Sequence, residues 1–252
     1  MRSCAVTGKH IRMTKSSLSG DYLIPDWPLP DGISAAVSTV TSPGNLAAHV
    51  FAEPASVIRH RRQLVRDLSL PCTPRWLQQY HGAVAGNFAE IALGAPADAI
   101  FSRQPASVCA VLTADCLPVL LVSRDGSEIA AVHAGWRGLA AGVIESTLQQ
   151  LRTDNADLRA WIGPAITLPY FEVGGDVYDV FAARGLTDSK NFLPQPQHKW
   201  LADLPDLARR VLNLAGVSDV TLSGLCTYSD ERWYSYRRTP VAGRFASLIW
   251  KN

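Results

Sequence analysis

The 252-residue chain predicts a single α/β (α+β) domain of mixed β-sheets packed with helices. Three observations carry this. Short apolar runs rich in Val, Ile and Leu alternate with stretches of helical periodicity. Turn residues separate consecutive apolar runs, so hairpins sit among the crossovers. No repeat or low-complexity linker divides the chain, whose length is ordinary for one large core.

The elements follow in order. "ISAAVSTV" (33–40) is a strand, and 54–70 reads as a helix with Val57, Leu64 and Leu68 on its apolar side. "RWLQQYHG" (75–82) is expected to be a strand ending at His81-Gly82, and 97–103 another strand. "SVCAVLTA" is followed by two apolar runs around Arg124-Asp125-Gly126-Ser127, which predicts a hairpin. A helix is expected over 139–152, with Leu139, Val143, Leu148 and Leu151 near one face. Residues 158–166 form a buried strand; 175–185 and 203–216 are helices, the latter capped by Asp203 and stopped at Gly216. "VTLSGLCT", "WYSYRR" and "FASLIW" complete the chain as strands. Residues 1–19 are polar and basic, and are expected to be a disordered extension to a domain at 20–252, with Met13 a possible start.

Net charge is +2 and the isoelectric point about 8.3, a balance that marks no nucleic-acid footprint. The basic run Arg59-His60-Arg61-Arg62, with Arg66, reads as a solvated helix face. Five cysteines, widely spaced and without C-x-x-C, do not form a disulfide framework. With no signal peptide and no apolar run long enough to span a bilayer, a reducing, cytoplasmic setting is expected.

His81, Cys116 and His133 each sit at or just beyond the end of an apolar run, next to turn-permissive residues. They are separated by 35 and 17 residues, so only the fold could bring them together. Two imidazoles and a thiolate suit zinc, and three protein ligands leave the open position of a catalytic site. Taken singly, Cys116 reads first as a core residue, and His81 and His133 as satisfied structural histidines. Blue copper would want an axial ligand such as methionine; the only methionines are Met1 and Met13. The nucleobase-deaminase signature H-x-E…P-C-x-x-C is missing. A metal-free hydrolase with Cys116 as nucleophile and His133 as base remains open. In "HAGWRGLAAGV", Arg137 stands at a helix start and could hold phosphate or a carboxylate. Tyr234, Arg237, Arg238 and Arg244 supply a second aromatic–basic group. Asp115 and Glu172 are the candidates for acid–base work, although Asp115 needs a turn to share a face with Cys116.

Together, "QQYHG", "AVLTADCLPVLL", "AAVHAGWRG", "IGPAI…YFEVG", "CTYSD" and "YSYRR…GRFASLIW" resemble the YfiH family. Its members have been called laccase-like polyphenol oxidases, purine nucleoside phosphorylases and peptidoglycan editing factors. The resemblance runs from about residue 22 to the end. It implies an α/β sandwich similar to a toxin of the cysteine-hydrolase type, and zinc on His81, Cys116 and His133, copper being less favoured. It implies nucleoside and phosphate as partners, phosphorolysis of adenosine, inosine, guanosine and methylthioadenosine, deamination of adenosine, and in some relatives peptidoglycan precursor editing. The chain departs from the family pattern at Val40, where members usually carry arginine, in the short segment after it, and at Ala165. The rival readings are the metal-free Cys–His hydrolase or amidase, a copper polyphenol oxidase, and a non-catalytic binder.

Overall fold

Every residue of the strand Leu117–Ser123 is buried, because layers pack on both of its faces. Leu117, Val119 and Leu121 belong to one core cluster, while Leu120 and Val122 belong to another. This is the two-residue strand period, with both faces apolar.

The computed structural model describes residues 17–19, 21–50, 53–241 and 243–252. Its strands are β1 (Ser17–Ser19), β2 (Tyr22–Ile24), β3 (Ile33–Val37), β4 (Ala85–Asn87), β5 (Ala99–Ser102), β6 (Val108–Thr113) and β7 (Leu117–Ser123). Then follow β8 (Ile129–Ala134), β9 (Leu158–Ile162), β10 (Glu172–Gly174), β11 (Phe192–Gln195), β12 (Lys199–Ala202), β13 (Asp219–Leu222) and β14 (Phe245–Lys251). The helices are α1 (Pro54–Asp67), α2 (Trp136–Ala140), α3 (Val143–Gln150), α4 (Gly175–Ala183) and α5 (Leu204–Leu214).

Two sheets form the sandwich. One has the order β1-β2-β3-β14-β6 and the other β13-β9-β7-β8-β5-β4; a third, small sheet is β10-β12-β11. Both large sheets supply side chains to a shared inner layer that includes Val37, Val111, Leu120, Trp161, Trp233 and Ile249. The outer face of the six-stranded sheet is covered by residues of α3, α4 and α5. The outer face of the five-stranded sheet is covered by Leu64 of α1 with Leu70 and Trp76. The expected α/β domain of mixed sheets and helices is therefore what forms.

The hairpin around 124–127 is β7–β8, with Pro118 opposite His133 and Val122 opposite Ile129. Asp203 caps α5 by accepting from the Asp206 amide. Several elements differ from expectation. The 139–152 helix is two helices, because Gly142 adopts φ +87°, a left-handed conformation that an α-helix cannot contain. Residues 75–82 form no strand; Gln78 makes a single bridge to Pro96, and the chain is held by side-chain and loop contacts. "WYSYRR" is also not a strand. Arg238 is turned inward and donates to the carbonyls of Thr227, Tyr228 and Trp233, which fixes a looped path. The small sheet of β10, β11 and β12 was not expected. Of the stretch 1–19, Ser17–Ser19 pair antiparallel with Tyr22–Ile24; residues 1–16 lie outside the described residues. The basic run is mixed: Arg59, Arg62 and Arg66 are exposed, but Arg61 stacks over Trp76 at 4.6 Å and donates to the Leu46 carbonyl at 2.9 Å.

Glu128 ties the hairpin to the end of α3. Its carboxylate accepts from the amides of Arg152 and Thr153, from the Thr153 hydroxyl and from Arg103 Nε. Burial alone would raise its pKa; these donors outweigh it and hold the carboxyl below 4.5. A depressed folded pKa contributes stability that is complete above the unfolded value and lost as pH falls through the folded one. Glu128→Gln should therefore lower stability at neutral pH by about 2 kcal/mol. Thermal melts should show the gap to wild type closing as pH drops below 4.5; a gap independent of pH would refute the role of the charge.

Candidate metal centre and substrate cavity

The site lies where the chain passes from one large sheet to the other. β6 belongs to the five-stranded sheet and β7 to the six-stranded one, so Ala114-Asp115-Cys116 must make the crossing. Asp115 does so at φ +87°, a sparsely populated conformation for a residue with a Cβ. Its carboxylate anchors the bend: Thr227 Oγ1 donates to Oδ1 at 2.6 Å and the Arg237 amide to Oδ2 at 2.6 Å. The bend removes the alternation that would have pointed Asp115 and Cys116 to opposite faces, and both line the same cavity.

His133 is the fifth residue of β8 and reaches the same point from the neighbouring strand. Its Nδ1 is 2.8 Å from Asp98 Oδ1. Asp98 is fully buried, and its carboxylate also accepts from the amides of Tyr80, His81 and Gly82 at 3.3, 2.9 and 2.7 Å. The loop carrying His81 is thus hung on the same carboxylate that orients His133. His81 adopts φ +63°, and its Nε2 lies 3.5 Å from Cys116 Sγ. The two imidazoles meet edge to face with centroids 4.8 Å apart.

The ligand atoms of His81, Cys116 and His133 lie within 4.8 Å of one another. Gly135 makes the approach possible: a Cβ there would fall 2.6 Å from His81 Cδ2 and 3.0 Å from Cys116 Sγ. With Nδ1 of His133 directed at Asp98, its Nε2 is left for a ligand, the arrangement that metal-bound histidines use. Two imidazole nitrogens and a thiol sulfur in this cradle fit a soft-to-borderline divalent ion. The cluster can therefore hold a metal. Burial opposes ionisation of the Cys116 thiol, but His133 first and then His81 outweigh it and bring the thiol down to about 6. Burial would lower His133, yet Cys116 and Asp98 raise it to about 9. The two shifts run in opposite directions, and each favours the charged form of its group.

The cluster forms part of the wall of a cavity of about 770 Å³. Of the sequence-predicted residues, Asp115, Arg137, Arg237 and Arg244 also line it. Arg137 extends over the Trp136 ring at 4.3 Å. Arg237 donates to the carbonyls of Tyr170 and Glu172 at 3.3 and 3.1 Å, and Arg244 lies 5.8 Å from the Tyr236 ring centre. Three of the predicted residues are placed elsewhere. The Glu172 carboxylate meets Lys199 Nζ at 2.7 Å at the surface. Tyr234 packs against the inner core, and Arg238 clamps backbone carbonyls. Val40 is not part of the cavity wall; its amide donates to the Arg232 carbonyl. Sequence reasoning missed Asp98, His49 and Tyr236. Asp98 sits within "ADAIFSR", where a lone acid opening a buried strand was the available signal.

Gly135→Ala and Asp98→Asn test this construction separately. The first should abolish metal binding by crowding His81 and Cys116. The second keeps the shape but weakens the grip on His133, and should cost about 10- to 100-fold in metal affinity. Competition with a chromogenic chelator measures both, and wild-type affinity in either variant would refute its part.

The family model for multi-copper polyphenol oxidoreductase laccase matches residues 31–252. A purine nucleoside phosphorylase of Pseudomonas aeruginosa is 44% identical over 240 residues, covering 91% of this chain and 98% of its own. The purine nucleoside phosphorylase YfiH of Escherichia coli K12 is 43% identical over 238 residues, covering 90% and 98%. A crystal structure of the Neisseria meningitidis protein NMB0706 superposes with a TM-score of 0.87 at 38% identity, over 92% of this chain and 100% of that one. The chain belongs to this laccase-domain family, the YfiH family.

Proposed function

We propose that the protein is a zinc-dependent purine nucleoside phosphorylase. The observation that carries this is the His81–Cys116–His133 cluster set in the wall of a cavity bordered by three arginines; the names of the relatives support the same reading. Two imidazoles and one thiolate favour zinc over copper, since no methionine stands among residues 17–252 to serve as a weak axial ligand. Zinc held there would supply Lewis acidity beside the substrate.

In the reaction, a phosphate oxygen bonds to ribose C1′ as the bond from C1′ to N9 breaks. The electron pair leaves on the purine, which takes up a proton, and the products are the 1-phosphate of the substrate's sugar and free base. Arg137 can hold the phosphate through a guanidinium that rests on Trp136 and is exposed to the cavity. Arg237 is oriented by two carbonyls and adds positive potential. Asp115 is the carboxylate in the cavity wall and our candidate for proton transfer. The substrates proposed are adenosine, inosine, guanosine and methylthioadenosine. Deamination of adenosine, in which water adds at C6 and the amino group leaves as ammonia to give inosine, is proposed for the same site. No helix among the described residues is long and apolar enough to cross a membrane, and a cytoplasmic setting remains part of the proposal.

A second reading rests on one specific arrangement. Cys116, His133 and Asp98 are ordered as nucleophile, base and orienting acid, with the thiol lowered to about 6. This suits a metal-free cysteine hydrolase or amidase, a class that would act on peptidoglycan intermediates.

Cys116→Ser separates the two. In the zinc reading the site keeps two protein ligands, so zinc content by elemental analysis and phosphate-dependent release of adenine should fall together. Full zinc occupancy with no activity would move the assignment to Cys116 as nucleophile. Arg137→Ala should raise the KM for phosphate by roughly 10- to 150-fold, the range of one charge-assisted hydrogen bond, with the nucleoside KM nearly unchanged. An unaltered phosphate KM would remove Arg137 from the anion site.

A further inference from the structure

The polar side chains of the cavity differ in what they can offer a ligand. Arg137, Arg237 and Arg244 only donate hydrogen bonds. An ionised Asp115 only accepts, and each of its oxygens already takes one hydrogen bond, from Thr227 and from the Arg237 amide. Gln79 is consumed at both ends of its amide by the Leu112 backbone, at 2.8 Å each. The Thr113 hydroxyl is buried within the wall, and His81, Cys116 and His133 form the metal cluster. Tyr236 offers one hydroxyl on a ring that faces Arg244. Besides the hydroxyls of Tyr236 and Thr113, the lining side chains with both a donor and an acceptor are, among the described residues, His49 and Gln78.

These two residues share a location. Each lines the cavity and also an adjoining recess of about 330 Å³, whose wall includes Leu77, Leu93 and Trp76. Both are exposed. The Gln78 backbone is fixed by its amide to the Ala95 carbonyl and its carbonyl to the Ala97 amide, while its side-chain amide makes no hydrogen bond among the described residues. Partial burial, then the charges of Arg244 and Arg61, hold His49 below its ordinary value, which favours the neutral ring, with one nitrogen donating and one accepting.

A purine presents the complementary problem. Beside the N7 acceptor, adenine carries a donor at C6, whereas guanine carries an acceptor there, as does hypoxanthine. We infer that His49 and Gln78 bind the edge of the purine base, and that together they accept both 6-amino and 6-oxo purines. A neutral imidazole can exchange tautomers and a primary amide can turn over, so either group can present whichever partner the C6 substituent needs. The recess beyond them is the space into which that edge points. This inference rests on the phosphorylase reading and adds to it the base-recognising residues.

Steady-state phosphorolysis of adenosine and inosine by the zinc-loaded protein tests it. His49→Phe and Gln78→Leu should each raise the nucleoside KM by about tenfold, with the phosphate KM and zinc content unchanged. Gln78→Glu leaves only acceptors at that position. It should shift the ratio of kcat/KM for adenosine over inosine upward by about tenfold, a change that general loss of structure would not produce. An unchanged ratio in Gln78→Glu, or a rise in phosphate KM instead of nucleoside KM, would overturn this inference and leave the phosphorylase reading intact. A wild-type protein that phosphorolyses neither nucleoside would overturn both.

Discussion

The Asp98 carboxylate is the contact on which the site depends. It is fully buried, and it is hydrogen-bonded to three successive backbone amides and one imidazole. A charge in that position is costly unless every oxygen is satisfied. Burial would raise its pKa, but the His133 ring and the Gly82 and His81 amides hold it below its ordinary value. One group therefore sets two things at once: the path of the loop that presents His81, and which nitrogen of His133 faces Cys116. The β8 backbone is tied in as well, because the His133 amide donates to the Asp98 carbonyl at 2.7 Å.

A second constraint is the passage between sheets. The chain must leave β6 and enter β7 within three residues, and the left-handed turn at Asp115 accomplishes this. The residue that follows is Cys116, which consequently stands at the end of the sandwich instead of inside it. Gly135, at the start of α2, leaves the space that the imidazole and the sulfur occupy. Strain at Asp115 and His81 and the close approach at Gly135 all fall on the one cluster. Such concentration is what a site assembled from two loop residues and one strand residue requires, since no single regular element places ligands from three separate parts of the chain at one point.

Electrostatics give the cavity its character. Arg137, Arg237 and Arg244 border it, and its one carboxylate among the described residues, Asp115, accepts from a hydroxyl and an amide. The same side chain that anchors the chain crossing thus holds the Arg237 segment against the cavity, and Arg237 in turn braces the loop at Tyr170 and Glu172. Bend, basic wall and loop are one connected unit.

Much of this was legible in the sequence. The strands β3, β5, β6, β7, β8, β9, β13 and β14 were visible as apolar runs because burial on one or both faces leaves a local pattern. The small sheet was not: Glu172–Gly174 and Lys199–Ala202 alternate weakly and include exposed residues, so their pairing comes from neighbours distant in sequence. The types and order of His81, Cys116 and His133 were likewise readable, since a metal needs particular donor atoms whatever the fold. Which charged residues enter the cavity was not. Glu172 and Arg237 each follow an aromatic residue, yet one meets Lys199 at the surface and the other braces the site. Arg238, next to Arg237, turns inward to cap carbonyls. The sequence by itself determined the layers and the donor atoms, because hydrophobic period and ligand chemistry are local properties. Only the tertiary structure decided the role of Asp98, the turn at Asp115 and the direction of each arginine, because these depend on backbone groups brought together from separate parts of the chain.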